Sequence, residues 1–147
     1  MNSNVARRIA SAGHQGQCTR FGDSVLSHVG RVAAAVPAEA RAVAWLHDLL
    51  EFVPGAEARL LGRGLTPVQA RALALLTRGP DEPYETFIHR IVDAGGSAGR
   101  IARMVKLADL EDHLSHTFIP LDAPPYAWAR TCVLDRVGIA SVAAGSG

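Results

Sequence analysis

Four side chains able to bind metal, His28, His47, Asp48 and Asp109, stand in apolar stretches with helical spacing, and that placement constrains this chain more than any other feature. The middle pair lies in Trp45-Leu-His-Asp-Leu-Leu-Glu51 and the last in Val105-Lys-Leu-Ala-Asp109. Polar groups inside such segments are costly unless something compensates them. A divalent cation compensates all four at once. The pattern therefore calls for helices packed around a metal site, and for a metal-dependent hydrolase.

The rest of the chain is punctuated in the same helical style. Residues 3–13 read as a short amphipathic helix, followed by a polar, Gly-containing loop from Gly16 to Asp23. Ser24 to Ala35 places Val25, Val29 and Val32 on one face with His28 among them. Pro37 suits the first turn of a helix that runs on through Leu50 and ends near Val53-Pro54-Gly55. A short segment spans Ala56 to Leu61. Thr66-Pro67 reads as an N-cap with proline at N1, opening a helix to about Thr77. Tyr84 to Asp93 is helical. Gly95-Gly96 separates it from the longest pattern, Arg100 to His116. Phe118 to Pro125 reads as a loop and Tyr126 to Val142 as a last helix with a fraying Ala-Gly-Ser-Gly tail. There is no internal repeat and no strand hairpin. The expected fold is all-α, a compact single-domain helical bundle over residues 1–147, with a core near 5–117 and a C-terminal helix near 126–142.

Composition sets the functional classes. A chain of 147 residues fits one domain that buries roughly 70% of its extended surface. A formal charge of +1 provides no electrostatic case for nucleic acid or an anionic membrane as partner. No apolar run approaches the ~20 residues that span a bilayer. Cys18 and Cys132 are far apart and outside any CxxC spacing, and the N-terminal residues lack a signal-peptide core, so a cytoplasmic protein is expected. Trp128 and Val133 in the Ala-rich last helix read as candidates for exposure. A homodimer burying that face and an ordinary core-facing helix both fit the sequence.

On one helix His47 and Asp48 diverge by about 100° and can straddle an ion, with Glu51 one turn further on the same face. Asp109 shares a helix face with Lys106, His113 and His116. Two imidazoles and two carboxylates suit Mn²⁺, Fe²⁺, Co²⁺ or Zn²⁺ rather than a soft thiolate ion, and they leave positions for water and a phosphate oxygen. Each element has a plainer reading alone: a surface His-Asp pair, a satisfied core His28, a solvated Lys106–Asp109 ion pair.

Taken in order, these residues match more than their own spacing. The chain resembles the HD-domain superfamily of metal-dependent phosphohydrolases, whose signature is H…HD…D. It is similar in particular to small proteins like the hydrolase domain of the stringent-response (p)ppGpp enzymes. His14-Gln-Gly-Gln17 with Arg20, Gly22 and His28 is similar to their N-terminal segment. Trp45 to Glu51 resembles their LLHDxxED word, and Leu76-Thr-Arg78 with Tyr84-Glu-Thr-Phe-Ile88 their "LT…Y…I" connection. Val105 to Asp109 repeats their VKLAD word letter for letter. The resemblance spans roughly residues 5–117.

It implies His28, His47, Asp48 and Asp109 as ligands of one catalytic metal, with Mn²⁺ the first expectation. It implies Glu51 as the group that orients or deprotonates the attacking water. It implies substrate contacts at Arg20, Lys106 and His113. Binuclear relatives carry further histidines between the HD pair and the last Asp. Here that interval holds only His89, so one metal is expected. The chain also departs from the (p)ppGpp hydrolases. Phe52 stands where they carry Asp, one arginine replaces a basic pair in the Cys18-Thr-Arg-Phe21 loop, and His113 replaces an asparagine. Ser24-Val25 and Val29 stand where a Pro-Tyr commonly flanks the first ligand. These changes point away from (p)ppGpp, towards the phosphate ester or pyrophosphate of a nucleotide or similar small metabolite. The alternative expectation is a catalytically weak protein of this fold that binds a nucleotide as sensor or scaffold.

Overall fold

Local capping chemistry starts three of the helices, α1, α2 and α6, where the sequence places them. The computed structural model describes residues 1–53, 55–115 and 119–144, with side chains described to residue 138. Helix α1, Ser3–Gly13, opens with Asn2 accepting the Val5 N–H at 3.0 Å, and α2, Val25–Ala35, with Ser24 accepting the Ser27 N–H at 3.2 Å. Helices α3 (Ala38–Leu46), α4 (Leu49–Phe52) and α5 (Ala56–Leu61) follow. Helix α6, Pro67–Leu76, carries a reciprocal capping box between Thr66 and Gln69. Helices α7 (Tyr84–Asp93), α8 (Gly96–Leu114) and α9 (Tyr126–Ala144) complete the chain. Among the described residues there is no strand, only an isolated bridge between Cys18 and Ser24. The fold is all-α, as expected.

Two elements differ from the sequence reading. The helix expected from Pro37 to about Val53 is split at His47 and Asp48 into α3 and α4. The Ala44 carbonyl, which an unbroken helix pairs with the Asp48 N–H, accepts the His47 Nδ1–H at 2.7 Å, a side-chain bond that competes with the backbone ladder. His47 and Asp48 therefore sit at a bend, not on one continuous helix. Helix α8 starts at Gly96, four residues before the expected Arg100, because its first turn lies directly on Ala94. A Cβ at Gly99 would stand 2.1 Å from the Ala94 carbonyl oxygen, so the early start requires glycine there. Val133 is fully buried and Trp128 half-buried, which matches the ordinary core-facing helix that the sequence allowed. His116, Phe118 and the tail 145–147 lie outside the described residues.

Helices α3 and α8 form the centre. Helix α8 packs against α2, α3, α6, α7 and α9, and α3 against α1, α2, α6 and α8. Their fully buried side chains, Val43, Leu46, Val105 and Leu110, join Leu73, Ile88, Ile91 and Val133 in the main core. Each such side chain contributes about 1.5–3 kcal/mol by leaving water. Val25 and Val29 of α2 form a satellite cluster with Ala10. This packing fixes the interior faces of α2, α3 and α8, and those faces carry the polar residues. Among the described residues no helix is long and apolar enough to cross a membrane. Cys18 and Cys132 are free thiols.

Candidate metal centre

The four expected ligands come from three places in the chain and meet in the interior. His28 projects from α2, His47 and Asp48 from the bend between α3 and α4, and Asp109 from α8. His28, His47 and Asp109 are at most 4% exposed, and Asp48 is half-buried. One oxygen organises them. Asp109 Oδ1 lies 3.1 Å from His28 Nε2 and 3.6 Å from His47 Nε2. Asp48 closes the other side, its Oδ2 3.6 Å from His28 Nε2 and its Oδ1 3.4 Å from His47 Nε2. Ligand bonds of ~2.0–2.2 Å place neighbouring donor atoms about 2.8–3.6 Å apart around one ion, and these separations fall in that range.

The tautomers strengthen the case. His47 Nδ1 faces the Ala44 carbonyl, which can only accept, so that nitrogen carries the proton. His28 Nδ1 likewise donates to Asp112 Oδ2 at 2.7 Å. Both Nε2 atoms are then lone-pair donors when neutral, and both are buried without a hydrogen-bond partner. An inward nitrogen lone pair with its outer N–H tied to a carboxylate or carbonyl is the usual state of a metal-bound imidazole. His28, His47 and Asp48 form one group whose donor atoms all lie within 4.8 Å, and His28, Asp109 and His113 form another. The buried His/Asp cluster has the geometry to hold a metal ion.

Its electrostatics agree. Burial pushes His47 down, but Asp48 and Asp109 outweigh it and bring the ring up to about 9. His28 is raised in the same way, chiefly by Asp109 against the cost of burial. Without an ion these rings attract protons, which shows that the pocket favours positive charge. Lys106, buried on α8, donates to Asp109 Oδ2 at 2.8 Å, with its ammonium 5.1 Å from the centre of the Phe87 ring. Burial alone would raise Asp109. Lys106 and the three histidines His113, His28 and His47 hold it well below the ordinary carboxylate range. Lys106 thus leaves Oδ1 as the oxygen presented to the imidazoles.

Glu51, in α4, stands exposed beside the cluster, its Oε1 accepting the Arg78 N–H at 3.3 Å. Crowding by protein atoms raises its carboxyl; the Arg78 bond lowers it, and the Asp48 charge raises it further. A cavity of about 610 Å³ opens there, lined by Leu50, Glu51, Thr77, Arg78, Gly79 and Pro80. His113, expected as a substrate contact, presents Nε2 to Asp109 Oδ1 at 3.0 Å. Arg20, expected as a substrate contact, is exposed, and its guanidinium pairs with Asp122 at 2.8 Å. His89 is exposed, edge-on to Trp128 with ring centres 5.7 Å apart. His14 is buried, its Nδ1 2.9 Å from Gln17 Oε1 and its ring edge-on to Phe52.

Two residues at the centre escaped sequence reading. Asp112 holds His28 from behind, and Arg31 binds both Asp112 oxygens, at 2.7 and 3.0 Å, while also pairing with Asp23. Spacing was the available signal: Arg31 follows His28 by three residues on α2, and Asp112 follows Asp109 by three on α8. The fold and site define an all-α protein with a buried His/Asp cluster suited to a cation. No known protein-family model matches the chain, and no curated protein matches it.

Proposed function

We propose that this protein is a metal-dependent phosphohydrolase of the HD-domain type, acting on the phosphate ester or pyrophosphate of a nucleotide or similar small metabolite. The observation that carries the reading is the convergence of the buried Nε2 atoms of His28 and His47 on the carboxylates of Asp48 and Asp109. His28, His47, Asp48 and Asp109 would hold a divalent cation, which would supply the Lewis acidity that lowers the pKa of water and polarises a phosphoryl oxygen. The mixed nitrogen and oxygen donors suit Mn²⁺, Fe²⁺, Co²⁺ or Zn²⁺.

Glu51 has the position and character of the general base. Its raised carboxyl takes a proton from water more readily than an ordinary glutamate does. Water oxygen attacks phosphorus, the bond to the leaving oxygen breaks, and the abstracted proton resides on the Glu51 carboxylate. The Arg78 N–H fixes that carboxylate, and Glu51 and Arg78 line the open cavity beside it. The buried Lys106 spends its charge on Asp109 and serves to position that ligand.

The test is metal content of the purified protein, followed by phosphate release across a nucleotide panel with each of the four ions. About one equivalent of metal with turnover is expected. In Glu51→Gln turnover falls by about 10²–10⁴-fold with metal retained. Turnover unchanged in Glu51→Gln removes Glu51 from the chemistry. Metal bound without turnover on any phosphoester supports the sensor or scaffold reading, and no metal after reconstitution overturns the proposal.

A further inference from the structure

We propose that His113 is a fifth ligand of the same ion, so that the site presents three imidazoles and takes Co²⁺, Fe²⁺ or Zn²⁺ in preference to Mn²⁺. The inference rests on the metal-site reading above. His113 Nε2 stands 3.0 Å from Asp109 Oδ1, the oxygen that His28 Nε2 approaches at 3.1 Å. The donor atoms of His28, Asp109 and His113 all lie within 4.8 Å of one another. His113 follows Asp109 by one helical turn on α8, the spacing at which two side chains of one helix share an ion.

The ring is held in this attitude. It stacks on Tyr126 with centres 4.8 Å apart and planes 8° from parallel. On its other flank it stacks on His28 at 4.8 Å and 27°, and Phe21 lies 5.1 Å away. The stacked His28 and His113 rings both direct Nε2 at one carboxylate oxygen, His28 held from behind by Asp112 and His113 by ring stacking alone, its Nδ1 buried without a partner. A plain hydrogen bond from His113 Nε2–H to Asp109 satisfies the same 3.0 Å contact without an ion. The two readings differ in what metal they favour. Adding a third imidazole to two carboxylates shifts the donor set from one suited to Mn²⁺ towards one suited to Zn²⁺, Fe²⁺ and Co²⁺.

The experiment uses the full chain, wild type and His113→Asn, titrated with Co²⁺ and with Mn²⁺. Binding is followed calorimetrically, and the visible absorption of the Co²⁺ form is recorded. Asparagine keeps a hydrogen-bond donor for Asp109 and removes the imidazole. The expected result is a Co²⁺ dissociation constant raised about 10–100-fold, a changed Co²⁺ spectrum, and a smaller change for Mn²⁺. Wild-type Co²⁺ affinity and spectrum in the variant overturn the proposal and leave His113 as a hydrogen-bond donor. A second measurement needs no variant. In Zn²⁺-loaded wild type with ¹⁵N-labelled histidine, three Nε2 resonances should move to metal-bound shifts, and two moving would overturn the fifth ligand. Wild type that binds none of these ions defeats the metal-site reading itself, an outcome distinct from metal bound without His113.

Discussion

The imidazole of His28 is held from its far side. Asp112 accepts its Nδ1–H, Arg31 grips Asp112 through two bonds, and Asp23 anchors Arg31. This chain of charges gives Asp112 a carboxyl below its ordinary range: burial alone would raise it, and bonds from Arg31 and His28 outweigh that. The same bond fixes the tautomer that aims a lone pair inward. In Asp112→Ala the ring loses that orientation, and the dissociation constant for Mn²⁺ or Co²⁺ should rise about 10–100-fold in a calorimetric titration. An unchanged constant would show that packing alone orients His28. The expected ligand residues were legible as a set, because several acids and imidazoles in apolar helical stretches are anomalous together though each has a plainer reading alone. Asp112 and Arg31 were not, since a charged residue near a helix end or on a half-exposed face raises no such anomaly.

Among the elements, legibility follows the kind of signal. Thr66-Pro67 announced the start of α6, to which the structure adds a capping box with Gln69. Tyr84–Asp93 likewise has its expected bounds. The break between α3 and α4 carried no such mark, because neither Gly nor Pro makes it; a histidine ring taking the Ala44 carbonyl does. The start of α8 was misread for the opposite reason. Gly95-Gly96 looks like a spacer, yet Gly96, at φ +69°, turns the chain and Gly99 lets the first turn settle onto Ala94. Gly99→Ala tests this. Alanine gains about 1 kcal/mol in helix propensity, but its Cβ would stand 2.1 Å from a backbone oxygen. The backbone must therefore shift, and a net loss of about 1–3 kcal/mol is expected in urea unfolding. A neutral or stabilising change would show that the α7–α8 junction is not tight.

For the whole molecule, the decisive fact is that α2, α8 and the end of α3 bring side chains far apart in sequence to one carboxylate oxygen. An ion bound there contacts the folded state only, so it stabilises by mass action, by about 2.7 kcal/mol at a hundred times its dissociation constant. The thermal midpoint of the full chain should rise with added Co²⁺ or Mn²⁺ and fall again on chelation. It should do so equally in Glu51→Gln, which keeps the ligands. A midpoint indifferent to every divalent ion would argue that His28, His47 and their carboxylates are held together by protons instead. The amino-acid sequence alone determined that the chain is helical, which faces are apolar, and which residues are chemically out of place on them, because periodicity and capping act over a few residues. Only the tertiary structure decided the bend at His47, the Asp112–Arg31 support, the ring of His113 against Asp109 and the pairing of Arg20 with Asp122. The Asp112–Arg31 and Arg20–Asp122 contacts join residues far apart in the chain and exist only once the helices are packed. The His47 and His113 rings make local contacts whose side-chain settings no periodicity announces.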